Sequence, residues 1–213
     1  MKKIVCYKTN KLKRFCQILF KKIKMFGNRI NGFFGNNGGS LRTANYGLFA
    51  QTANSTPITA TTSELSLIDG GVGTLSVPAN TFKVGDSFVG SMSGIMSAQN
   101  NNTITIRIKT GSVVLANSGA LTLNATTNQV WSMYLEFTIR TIGGAGVASI
   151  CTLGNIHVLK AASGTQQGFG FNTINTTTFD TTIANTLAVT AQWSSTSASN
   201  SIYSDLFVLN KSY

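Results

Sequence analysis

The stretch VWSMYLEFTIRTI (residues 130–142) alternates apolar and polar side chains almost without a break. A period of two belongs to an extended strand, in which successive side chains point to opposite faces. It sets Trp131, Met133, Leu135, Phe137 and Ile139 on one side and Ser132, Tyr134, Glu136, Thr138 and Arg140 on the other. A strand of that length needs neighbours to cover its apolar face, and the sequence supplies them. TITIRIK (103–109) sets Ile104, Ile106 and Ile108 against Thr105, Arg107 and Lys109, and TLAVTAQW (186–193) aligns Leu187, Val189, Ala191 and Trp193. SIYSDLFVLNKSY (201–213) is apolar on both faces near 206–209, the pattern of a central strand. Further strands are predicted at 46–52, 58–68, 73–78, 86–97, 112–117, 147–159 and 167–173. Between them lie the turn clusters IDGG, VPAN, AQNNN, IGGAG and AASGTQQG.

No convincing helical period interrupts the region from Leu41 to Tyr213. Eight to ten strands without helices imply an all-β sandwich or barrel. Several strands are longer than those of an immunoglobulin domain, and no repeat suggests a propeller. The predicted architecture is a single eight-stranded jelly-roll sandwich over 41–213, with Trp131, Phe137, Leu187, Val189, Trp193 and Leu206 buried.

What precedes this region has a different chemistry. Residues 1–30 hold ten of the 17 basic residues and no acid; the remainder holds seven basic and six acidic residues, a net of +1. The net charge of +11 therefore belongs to an arm, and an arm of one sign points to an anionic partner, either nucleic acid or a lipid surface. Leu12, Phe15, Leu19, Ile23, Phe26, Ile30 and Phe33 recur every three or four residues, while Lys13, Gln17, Lys21, Lys24 and Asn28 fall opposite. Residues 1–26 thus read as a basic amphipathic helix. Its candidate partner-binding residues are Lys11, Lys13, Arg14, Phe15, Leu19, Lys21, Lys22, Ile23, Lys24 and Phe26. So apolar a stripe favours a lipid surface or a protein over nucleic acid. Glycines at 27, 32, 35, 38 and 39 make 27–40 a linker. The longest uncharged run before Lys21, FCQILF, is too short for a secretory leader, so the arm is expected to be retained.

The body offers little for catalysis. His157 is the one histidine, and the acids Glu64, Asp69, Asp86, Glu136, Asp180 and Asp205 are scattered singly. There is no G-x-S-x-G, and GGVG and GGAG lack the Lys and helix of a phosphate loop. Cys6, Cys16 and Cys151 form no C-x-x-C pair and read as free thiols. No catalytic residue, metal or cofactor is expected. The surface instead reads as Thr, Ser and Asn. Such a surface suits a protein packed among copies of itself, because short hydrogen-bonding side chains are buried at modest cost. It suits a glycan-binding head equally well.

The segments YGLFAQTANSTPIT (46–59), GVGTLSVPANTFKVGDSF (71–88), NTTTFDTTIANTLAVTAQW (175–193) and NSIYSDLFVLNK (200–211) resemble structural proteins of large icosahedral DNA viruses of algae and other aquatic hosts. Similar-looking domains occur in phage and viral fibre proteins. The likeness covers about 41–213 and excludes the arm. It implies a virion component made in the host cytoplasm. The length leaves room for one jelly roll, as in a vertex (penton) or minor capsid protein. Its partners would be itself, as a pentamer, and other capsid proteins, with the arm reaching inner capsid components or an internal membrane. The alternative implied is the receptor- or glycan-binding head of a viral fibre.

Overall fold

The structure, a computed structural model, describes residues 46–159 and 164–213. The predicted arm (1–26) and linker (27–40) lie outside them. Fourteen strands and no helix occur among the described residues. In chain order they are β1 (Tyr46–Gln51), β2 (Ile58–Thr59), β3 (Leu65–Ser66), β4 (Gly71–Gly73), β5 (Ser76–Val77), β6 (Ser87–Ala98) and β7 (Thr103–Thr110). There follow β8 (Val113–Asn117), β9 (Leu121–Thr122), β10 (Thr126–Thr141), β11 (Ser149–Leu159), β12 (Gln166–Asn175), β13 (Asn185–Trp193) and β14 (Ser201–Lys211).

All pairings are antiparallel and make two sheets. The larger runs β12-β11-β10-β6-β14-β1-β4, with β2 on β14; the smaller runs β3-β13-β7-β8, with β5 on β13 and β9 on β7. Their apolar sides share one buried cluster that includes Trp131, Leu135 and Phe207 from the larger sheet and Ile106, Val189 and Trp193 from the smaller. In 103–109, 130–142 and 186–193 every predicted inward side chain is buried, while Thr190 is buried as well and the alternation of β10 ends at a register shift after Ile139.

Glycines make the larger sheet's inner face fit. On β6, Gly90 lies opposite Leu135 and Gly94 opposite Trp131. A Cβ on Gly90 would stand 2.9 Å from Leu135 Cγ, and one on Gly94 would stand 1.9 Å from the Tyr203 carbonyl oxygen. Small residues facing large ones keep the layer at crystal-like density. Both tryptophans are buried and satisfied: Trp131 Nε1–H donates to the carbonyl of Tyr203 and Trp193 Nε1–H to that of Ile58, each at 3.1 Å.

Three expectations change. The eight-stranded sandwich becomes fourteen strands, because the hairpin β11–β12 widens the larger sheet and the chain between β1 and β6 is cut into short pieces. The predicted strand 58–68 is two two-residue strands on different sheets, β2 on β14 and β3 on β13. Ala60 at φ 48° turns the chain, and Thr61 Oγ1 accepts the Ser63 N–H. Leu206, expected in the core, is 46 % exposed. The register of β14 against β6 slips between Ser204 and Leu206, and the extra residue moves Phe207 and Leu209 inward in its place. β14 is nevertheless an interior strand, as its sequence implied.

Candidate assembly surface

The two sheets turn different chemistries outward. On the smaller sheet the outward residues of β7 and β13 are tied into one network by Glu64, which precedes β3. Its carboxylate accepts from Lys109 Nζ at 2.8 Å, Arg107 Nη1 at 3.1 Å and Thr190 Oγ1 at 2.7 Å. Arg107 also donates to Gln192 Oε1 at 2.9 Å. The hydrogen bond from Lys109 outweighs the desolvation of Glu64 and, with Thr190 and the nearby cations, holds the carboxyl below its ordinary range. The two cations of this face thus share one carboxylate.

The larger sheet's outer face is built from rows that the registers align across strands. One row runs Val72, Ala50, Val208, Ser91, Tyr134, Asn155, Gly170, from β4 to β12. The next runs Leu206, Ser93, Ser132, His157, Gly168. Neither row contains an acid, a lysine or an arginine. Val72, Val130, Tyr134, Leu153, Ile174 and Leu206 stand 40–62 % exposed on this face. Its charged residues among those described are Glu136, Arg140 and Asp205. The face is therefore apolar in patches, dotted with Ser, Gly and Asn, and weakly charged. Exposed apolar area rimmed by small polar groups marks an interaction surface.

Two concavities lie elsewhere. At one end of the sandwich a cavity of about 200 Å³ is lined mainly by apolar side chains, among them Phe82, Phe88, Phe137 and Phe179. Phe88 and Phe137 stack with centroids 4.8 Å apart, and Phe82 meets Phe88 edge-on at 6.1 Å. Asp86 and Lys211 also line it and pair with each other, Oδ1 to Nζ, at 2.6 Å. The second is an open groove of about 580 Å³ bordered by Ser97, Gln99, Asn100, Thr126, Thr127 and Ser199.

The six acids are held in six separate local arrangements. Beyond Glu64 and Asp86, Asp69 accepts the Thr56 N–H, Asp180 binds the Thr182 N–H and hydroxyl, Asp205 accepts from Ser93 Oγ, and Glu136 accepts from Tyr134 Oη. The hydrogen bonds from Thr182 hold Asp180 below the ordinary carboxylate range, and desolvation with Glu136 beside it pushes the Tyr134 phenol up. His157 lies against Gly168, whose ideal Cβ would be 3.0 Å from the ring. No group of three His, Cys, Asp or Glu suited to a metal occurs among the described residues.

The ten arm residues singled out from the sequence, Lys11 to Phe26, lie outside the described residues. What the sequence did not reveal is the row structure of the larger sheet. It depends on which strands pair and in what register, and the strands that form it are far apart in the chain. A scan of the chain against protein-family models gives no match, and a search of the curated proteins returns none.

Proposed function

We propose that the chain is a structural protein of an icosahedral virus capsid, at the vertex (penton) or in a minor capsid position, with a body that assembles among copies and neighbours. The observation that carries this reading is the larger sheet's outer face, whose central rows hold no acid, lysine or arginine while the smaller sheet carries two cations on one carboxylate. Rows of Ser, Gly, Asn, Val and Leu can be covered at little desolvation cost, with Glu136, Arg140 and Asp205 the charges on this face that a neighbour would have to meet.

The strand order supports a jelly roll. With the hairpin β11–β12 and the short strands β2, β4 and β9 set aside, and β3 and β5 counted together as the second strand, the larger sheet runs first, eighth, third, sixth. The smaller then runs second, seventh, fourth, fifth. This is the order a hairpin of four strand pairs takes when it is wrapped into two sheets. The basic arm would fix this body to an inner capsid protein or to an internal membrane, its Phe, Leu and Ile stripe acting with its lysines.

The polar groove by Thr126, Thr127 and Asn100 favours a second reading, a fibre head that takes an uncharged glycan. Negative-stain microscopy of the purified full chain separates the two. Five-fold rings support the vertex reading; trimers that bind glycans overturn it. For the arm, the full chain is sedimented with anionic vesicles and with DNA across a salt series. Phe15, Leu19, Ile23 and Phe26 all changed to Ser should abolish vesicle attachment even at low salt. DNA binding that survives these changes and falls steeply with salt would make the arm a genome contact.

A further inference from the structure

β12 is an edge strand of an unusual kind. It pairs with β11 through ten consecutive residues without a register shift, and on its other side no strand is paired among the described residues. Proteins guard such edges with shortness, bulges, prolines or charges. The other edges here are guarded: β4 has three residues and a glycine at φ 96°, β3 has two, and β8 has five and slips register against β7. β12, QQGFGFNTIN, has ten residues with no charge and no proline. None of its residues is buried, although Phe169 and Phe171 pack in part against the core.

We propose that β12 is a self-pairing seam, on which β12 of a second copy adds antiparallel about a two-fold axis, joining the larger sheets of two copies into one. A free strand edge is satisfied by another strand. An identical strand is admitted here because its sequence sets no like charges opposite one another. The side chains choose the register. Centring the axis on Gly170 sets Phe169 of each copy opposite Phe171 of the other, two aromatic cross-strand pairs on the inner face. It also sets Gly168 opposite Asn172 and Gln166 opposite Ile174 on the outer face, where nothing is bulky on both sides. The contact is isologous and closes on itself. It is therefore distinct from any five-fold ring contact and would link one ring to the next.

Gly170 is the position to test, because an added Cβ there meets nothing within 4 Å. In the full chain with Cys6, Cys16 and Cys151 changed to Ser, Gly170→Cys would bring two sulfurs together at the axis. Paired antiparallel residues have Cα atoms roughly 4.5–5.5 Å apart, within the span a disulfide bridges. Mild oxidation should give a dimer whose cross-linked peptide contains the introduced cysteine twice, once from each copy. Gly170→Lys, with an unchanged circular dichroism spectrum, should weaken association on the order of tenfold or more by placing two ammonium groups face to face. A folded Gly170→Cys chain that yields no such cross-linked peptide overturns the seam, as does a Gly170→Lys chain that associates like the parent. Rings seen by microscopy without the cross-link would sink the seam and leave the vertex reading standing. Cross-linked dimers without rings would do the reverse.

Discussion

Trp131 on β10 reaches over β6 and donates its indole N–H to the carbonyl of Tyr203 on β14, 3.1 Å away. Gly94 lies between them in the sheet, and its missing Cβ leaves the space that this carbonyl occupies. The bulge after Ser204 follows directly. Trp131→Phe would leave the part-buried carbonyl without that donor and open a void. We expect a loss of about 2–4 kcal/mol, read from the urea midpoint. A loss below about 1 kcal/mol would show that the bond contributes little.

The glycines should divide sharply. Gly94→Ala drives a Cβ into the Tyr203 backbone and should cost about 3 kcal/mol or more, because a backbone atom cannot rotate aside. Gly170→Ala meets open space and should be neutral or stabilise by up to about 1 kcal/mol through the unfolded chain. Thermal melts of the two variants check the contrast.

Thr152 is fully buried on β11, and its hydroxyl has no hydrogen-bond partner. Thr152→Val keeps the shape and removes the stranded oxygen. We expect a gain of about 1 kcal/mol in a denaturant titration. A loss would mean that the hydroxyl is satisfied by water.

Glu64 gives the body a pH dependence of known sign. Its folded pKa is depressed, so its contribution is complete above the unfolded value, about 4.3, and is lost as pH falls through the folded value. Urea midpoints of the parent should therefore fall between neutral and strongly acid pH. The fall should be smaller in Glu64→Gln, which begins less stable at neutral pH because Arg107 and Lys109 have lost their carboxylate. Parallel pH curves for the two proteins would refute this.

How much of this was legible in the sequence depends on the range of the cause. Ile104, Ile106 and Ile108, or Leu187 to Trp193, declare their face locally, because the pleat alone fixes it. Leu206 did not, because one extra residue in β14 exchanges inside for outside, and nothing at Asp205 announces a slip that only the pairing with β6 defines. The chain between β1 and β6 was misread for the opposite reason. Its Thr, Ile, Leu and Val residues allow strands, but its Ser, Asn, Gly and Pro residues make turns, and which prevails is decided by β13 and β14 far along the chain. The outer face of the larger sheet lay furthest from view. Val72, Val208, Tyr134 and Gly170 become one row only after seven strands have found their partners.

The positions of β13 and β14 set the order in which the protein can be made. β14 lies between β6 and β1, and β13 between β7 and the short strands β3 and β5, yet both are synthesised after every strand they join. While the chain is still emerging from the ribosome, neither sheet has its middle, and β1 cannot yet be paired to β6 through the strand that links them. Closure must therefore await the synthesis of β14, and until then the larger sheet's apolar inner face needs shelter from other nascent chains.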